Sequence, residues 1–236
     1  MCRRSAQETG LLRIGRRVKL TPAGDRMETL LLVGATGLVG REALRQALAD
    51  ESIRRVIAPT RRPLELLHPR LENPTVDFGA LPAEAAWWRV DAVICALGTT
   101  IKKAGSPTAF RTVDHDYPLA VARLACAQGA GVFALVSSLG ANAAAATLYP
   151  RTKGETERDL TACGFPSLTI LRPSLIGGER DERRPGEKLL LMLMGALRPL
   201  LPRRYRIVSA ERIAAALLRE ARAARPGVNI VESENI

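Results

Sequence analysis

The segment TLLLVGATGLVGREALRQALA, residues 29–49, constrains the fold of this chain more than any other stretch. Thr29 to Val33 is a short unbroken apolar run, the pattern of a strand buried on both faces. Leu38 to Ala49 is helical, so Gly34-Ala35-Thr36-Gly37-Leu38-Val39-Gly40 forms the turn between the two. Glycine at 34 and 37 permits positive φ and lets backbone approach a pyrophosphate with no Cβ in the way. Gly40 lets the helix lie close to the strand. The helix N-terminus behind the turn offers free N–H groups and partial positive charge to phosphates. A tight strand–helix turn would explain the glycines equally well; the weight lies in the context of a preceding strand, a following helix and further βα units, which together predict a dinucleotide site.

The remaining rhythm supports that context. Strands are expected at 55–60, 74–78, 91–98, 132–138 and 167–173, and helices over 108–128 and 148–162. Strands alternating with helices need crossover connections, which implies an α/β fold with a doubly wound parallel sheet. After Pro173 come a charged loop (177–188), an apolar run from Leu189 to Leu197, a basic segment, an amphipathic helix (209–224) and a short strand near 228–232. This part is expected to form a small cap on the substrate side at the C-terminal edge of the sheet. Residues 27–236 read as one domain. Residues 1–26 read as a disordered tail, or as sequence upstream of a start at Met27.

The net charge of +11 points first to nucleic acid or an anionic surface. Arginine dominates the basic residues, however, and residues 1–26 alone contribute +5. No aromatic stacking platform or groove-reading motif accompanies the charge, which argues against nucleic acid as a partner. The run Leu189–Leu197 is too short to span a bilayer, so no membrane insertion is expected. Cysteines 2, 95, 126 and 163 form no CxxC pair, and with only His68 and His115 beside them no metal site is expected. Both histidines read as surface or packing residues, Trp87-Trp88 as core, and Cys95 as an apolar filler. Nothing requires an oxidising compartment, and the expectation is a cytoplasmic protein.

Two further constellations carry chemistry. Arg61-Arg62 follows the second strand, where a dinucleotide fold presents the adenosine ribose. No acid lies between Ile53 and Arg62 to accept from a 2′-hydroxyl, and the guanidinium fork matches a 2′-phosphate, which favours NADP(H). Two solvated surface arginines are the plain alternative. Tyr149-Pro150-Arg151-Thr152-Lys153 places a phenol and an ammonium at i and i+4 on one helix face. At ~6 Å and an effective dielectric near 20, the lysine favours phenolate by roughly 3 kcal/mol, or ~2 pKa units. That suits Tyr149 to general acid–base work. Ser137-Ser138, at the end of the preceding strand, offers a hydroxyl for a substrate carbonyl.

Taken together, GATGLVG, the strand-end serines and YxxxK resemble the short-chain dehydrogenase/reductase superfamily over residues 29 to 232. CALGTTIKKAGS (95–106), FRTVDHDYPLAVARLA (110–125), VSSLGAN (136–142), YPRTKGETE (149–157) and RRPGE (183–187) resemble its atypical, Tat-interacting-protein-like oxidoreductase group. The resemblance implies a Rossmann-like fold and NADP(H) as ligand. It implies that Thr36 to Arg41 meet the pyrophosphate, Arg61 and Arg62 the 2′-phosphate, and Asp77 the adenine. Leu97 and Gly98 would line the cofactor channel, Ile176 would approach the nicotinamide carboxamide, and Arg184 would add a contact. Tyr149 would be the proton donor, Lys153 would hold the nicotinamide ribose, and Ser138 would be the catalytic hydroxyl. Where many short-chain reductases carry an asparagine that relays protons to the lysine, this chain has Val113-Asp114. Two readings follow: a reductase of an unidentified carbonyl substrate, or a dinucleotide-binding sensor that acts on protein partners with little turnover.

Overall fold

The structure is a computed structural model that describes residues 27–177 and 202–236. Arg184, the charged loop beyond 177, the apolar run Leu189–Leu197 and the leader 1–26 lie outside the described residues.

Seven parallel strands form the central sheet: β1 (Thr29–Val33), β2 (Arg55–Ile57), β3 (Leu71–Glu72), β4 (Ala92–Cys95), β5 (Val132–Val136), β6 (Ser167–Arg172) and β9 (Gly227–Glu232). Their order is β3-β2-β1-β4-β5-β6-β9. A two-residue pair, β7 (Ile176–Gly177) with β8 (Val208–Ser209), stands apart from it. The helices are α1 (Leu38–Ala49), α2 (Ile101–Ala104), α3 (Pro107–Arg111), α4 (Tyr117–Ala127), α5 (Leu148–Thr161) and α6 (Ala210–Ala223).

Alternate residues of the apolar strands feed two cores. Leu30, Leu32, Val56, Ile94 and Ala134 pack toward α1 and α6, while Leu31, Val33, Val93, Phe133 and Leu135 pack toward α4 and α5. Burial on both faces explains why these strands read as continuous apolar runs, each fully buried Leu or Ile contributing about 1.5–3 kcal/mol. Strand order reverses between β1 and β4, which opens a crevice at the carboxyl ends of the strands.

Three differences from the sequence expectation have physical causes. The third strand is Leu71–Glu72, and only a bridge between Thr60 and Thr75 continues it, since Pro74 has no N–H for a ladder. The expected helix over 108–128 is broken. Pro107 opens α3 under a Ser106 cap, and a π-helical turn, Thr112–Asp116, links it to α4. The C-terminal part does not simply cap the sheet: α6 packs beside α1 and β9 pairs with β6 in register, Ser167 opposite Gly227 through Arg172 opposite Glu232.

Candidate functional site

At the end of β1 the chain turns at Gly34 with φ +89°. A Cβ there would lie 2.6 Å from the carbonyl carbon and oxygen of Ala96, just past β4, so this position requires glycine on two counts. The Gly37 N–H donates to the Gly34 carbonyl at 2.9 Å. Gly40 brings α1 onto the same carbonyl, where a Cβ would stand 2.0 Å from the oxygen. Helix α1 starts without a side-chain cap and without an acid in its first turn, which leaves its N-terminal N–H groups for an anion. Thr36, Gly37 and Arg41 are exposed and Leu38 is half-buried. Val39 and Gly40 are buried, so they can offer a phosphate no more than their N–H groups. The turn fits a dinucleotide pyrophosphate because its glycines let strand, turn and helix pack closely while the uncapped start of α1 presents backbone N–H groups.

Arg61 and Arg62 sit on the loop after β2, both exposed. Asn73 organises that loop: its carboxamide oxygen accepts from the Leu64 N–H at 2.8 Å, and its nitrogen donates to Thr60 Oγ1 at 2.8 Å. Thr60 Oγ1 in turn donates to the Arg62 carbonyl at 2.6 Å. Asp77 reaches the same end of the sheet through the Thr60–Thr75 bridge, and its carboxylate accepts from the Gly79 N–H at 2.8 Å. A largely apolar cavity of about 630 Å³ runs from Ala35, Thr36 and Arg41 beside α1 to Leu64 and His68. It adjoins the glycine turn, and α5 contributes none of its lining residues.

Tyr149 lies in the first turn of α5, 38% exposed, with its ring stacked on Phe110 at 5.6 Å. Lys153, one turn on, is buried. Its Nζ lies 2.7 Å from Asp114 Oδ1, and a Cβ on Gly98 would be 3.7 Å from that nitrogen. The end of β4 and the Tyr149–Lys153 face of α5 therefore meet. Burial pulls the Lys153 pKa down, but the Asp114 charge, with a smaller contribution from Tyr149, holds it above the ordinary lysine value. Burial also pushes the neighbouring Cys95 thiol up to about 12, in keeping with an inert filler. Lys153 thus carries a counter-ion of its own, Asp114.

The two serines part company. Ser137 is buried and its hydroxyl donates to Glu157, which also accepts from Arg172 at 3.1 and 2.5 Å. Arg172 reaches Glu232 on β9 at 3.1 Å. Ser138 is half-buried and makes only a long 3.3 Å bond to the Leu139 carbonyl, so its hydroxyl can exchange partners. Leu97 is half-buried beside the α4 and α5 core, and Ile176 is half-buried in β7 opposite Val208. His115 is buried between Asp116 (2.7 Å) and Asp159 (2.9 Å), a packing role with ionic partners.

Sequence reasoning missed Asn73, Glu157, Arg172 and Gly154. A Cβ on Gly154 would lie 2.1 Å from the Ala143 nitrogen, so α5 rests directly on the loop after β5. The Asn-Pro step at 73–74 was a visible turn signal; the others act through partners distant in sequence.

A family model described as NAD(P)H-binding matches residues 34–193. Among curated relatives, the mitochondrial protein fmp52 of Aspergillus fumigatus is 35% identical over 178 residues, covering 72% of this chain and 75% of the relative. Protein HTATIP2 of Rattus norvegicus is 36% identical over 174 residues, 72% of each chain. Among solved structures, MoeE5 in complex with UDP-glucose and NAD superposes with a TM-score of 0.66 at 18% identity, covering 86% of this chain and 75% of that one, a likeness of fold. The expectation of a cytoplasmic protein is overturned by the fungal relatives, whose names place them in mitochondria. Unpaired cysteines could not have separated the cytosol from another reducing compartment. No helix among the described residues is long and apolar enough to cross a membrane.

Proposed function

Because the chain belongs to the NAD(P)H-binding family, as an NAD(P)-binding Rossmann-fold oxidoreductase related to the extended short-chain dehydrogenases/reductases, we propose that it is an NADPH-dependent reductase of a small carbonyl compound. The observation that carries this reading is an exposed phenol, Tyr149, one helical turn from a buried ammonium, Lys153, which lies against the end of β4 that also walls the glycine turn. When bound, the reduced nicotinamide supplies the hydride.

The chain's own groups supply the rest. Backbone N–H groups at the start of α1 hold the pyrophosphate, and Arg61 and Arg62 hold the 2′-phosphate. Asp77 flanks the adenine, Leu97, Gly98 and Ile176 line the path to the nicotinamide, and Lys153 anchors the ribose hydroxyls. Ser138 Oγ–H donates to the substrate carbonyl oxygen, and the Tyr149 Oη–H delivers the proton as that oxygen gains charge. Ser137 takes no part, being held by Glu157.

Tyr149→Phe should abolish NADPH oxidation across a panel of aldehydes and ketones while leaving NADPH affinity within about twofold. Retained turnover would refute the assignment of the proton donor. Replacing both Arg61 and Arg62 by Ala should weaken NADPH at least tenfold more than NADH, and equal weakening would refute NADP specificity. A second reading, a dinucleotide-binding regulator with little turnover, draws on the pairing of Lys153 with Asp114 at 2.7 Å, which engages the ammonium within the protein. No turnover with any carbonyl in the panel, with NADPH binding intact, selects it.

A further inference from the structure

Lys153 is a cation in a place that ought to discharge it. Its side chain is 7% exposed, and that of Asp114 is wholly buried. Desolvation on this scale drives a lone lysine toward the neutral amine. Three groups face the ammonium: Tyr149 from its own helix, Cys95 from the end of β4, and Asp114 from the π-helical turn. Cys95, pushed up to about 12, is an uncharged thiol at neutral pH. Asp114 is the carboxylate of the set, its Oδ1 2.7 Å from the ammonium nitrogen.

Asp114 is itself held on three sides. Its Oδ1 stands 2.7 Å from Lys153 Nζ, its Oδ2 accepts from the Thr99 N–H at 2.7 Å, and its backbone carbonyl accepts from Thr156 Oγ1 at 2.9 Å. The next residue, His115, ties the same turn to Asp159 on α5. A carboxylate so fixed cannot follow a moving lysine; the lysine must come to it.

We infer that Asp114 is a positioning residue whose carboxylate keeps Lys153 protonated and fixes its ammonium beside the end of β4. The protonation stands on the ion-pair geometry alone, whereas its use in holding cofactor rests on the proposed role of Lys153.

The chain has only five lysines, so a preparation labelled with ¹³C at lysine Cε gives a titration that nuclear magnetic resonance resolves residue by residue. Lys153→Met identifies the resonance. In the wild type that signal should stay protonated to above about pH 10. In Asp114→Asn its midpoint should fall by about 1–3 units, and in Asp114→Glu it should return toward the wild-type value. A midpoint unchanged by Asp114→Asn overturns the inference. Should Asp114→Asn not fold, a wild-type midpoint below that of the exposed lysines overturns it equally.

A second readout separates the two layers. NADPH affinity in Asp114→Asn should weaken as pH rises through the new midpoint, and stay level in the wild type over the same range. Affinity that ignores a lowered Lys153 midpoint would leave the ion-pair inference standing and refute Lys153 as a cofactor contact.

Discussion

Gly154 follows Lys153 directly, and its missing side chain sets how closely α5 approaches the loop after β5. In Gly154→Ala the new Cβ would lie 2.1 Å from the Ala143 nitrogen, 2.2 Å from the Asn142 carbonyl carbon and 2.6 Å from its Cα. All three are backbone atoms, so no side chain can swing aside. Restoring ordinary contact, which begins near 3.4 Å, requires α5 and the loop to part by about 1.3 Å. Overpacking of this kind costs about 1–3 kcal/mol. For a chain of this size that corresponds to a fall in Tm of roughly 2–12 °C. The same separation carries Tyr149 and Lys153 away from the end of β4, and a misplacement near 1 Å costs on the order of 100-fold in turnover. Calorimetry and NADPH-linked carbonyl reduction would measure the two losses. Gly131→Ala is the control, because nothing lies within 4 Å of its added Cβ. A Gly154→Ala protein with wild-type Tm and wild-type turnover would refute the direct contact between α5 and the loop.

The serine pair should separate by assay. Ser138→Ala should lower turnover by about 10²–10³ with Tm unchanged, whereas Ser137→Ala should lower Tm, because it strips a partner from the buried Glu157 carboxylate that pairs with Arg172. The reverse assignment of losses would overturn the choice of Ser138. Acid stability reports on the π-helical turn: hydrogen bonds from Arg158 and His115 hold the Asp159 carboxyl down at about 2, below its ordinary 3.8. Its contribution is present above about pH 4 and lost as pH falls toward 2. Asp159→Asn should flatten the drop in Tm across that window, and an unchanged slope would exclude the contact as a stabilising one.

The core strands were legible because β1, β4, β5 and β6 are buried on both faces and announce themselves as apolar runs. The last strand was also legible as a strand, but not its place: Val228 and Ile230 are half exposed, and nothing in GVNIVE says that it pairs with β6. The third strand was misplaced because Thr75, Val76 and Phe78 have the right propensity, while Pro74 denies them a ladder. At the site, the i, i+4 spacing of Tyr149 and Lys153 and the glycine turn could be read directly. The state of Lys153 could not. It depends on Asp114 from another helix, and on the local winding that aims it. Glu157 and Arg172 were invisible for the same reason, since each acts through atoms brought near by the fold.

That winding has a consequence for how the chain tolerates change. A π-helical turn is one residue longer than the α-helical turn it replaces, and each residue of an α-helix advances it by about 100°. Thr112–Asp116 thus acts as a phase adjuster between α3, whose Phe110 carries the Tyr149 ring, and α4, whose Val121 and Ala125 fill the core. Loss of a single residue would let the turn relax to α-helix and rotate Phe110 and Arg111 out of step with α4, removing several contacts to α5 at once. The 112–116 segment thus contributes its length as well as the Asp114 carboxylate that meets Lys153.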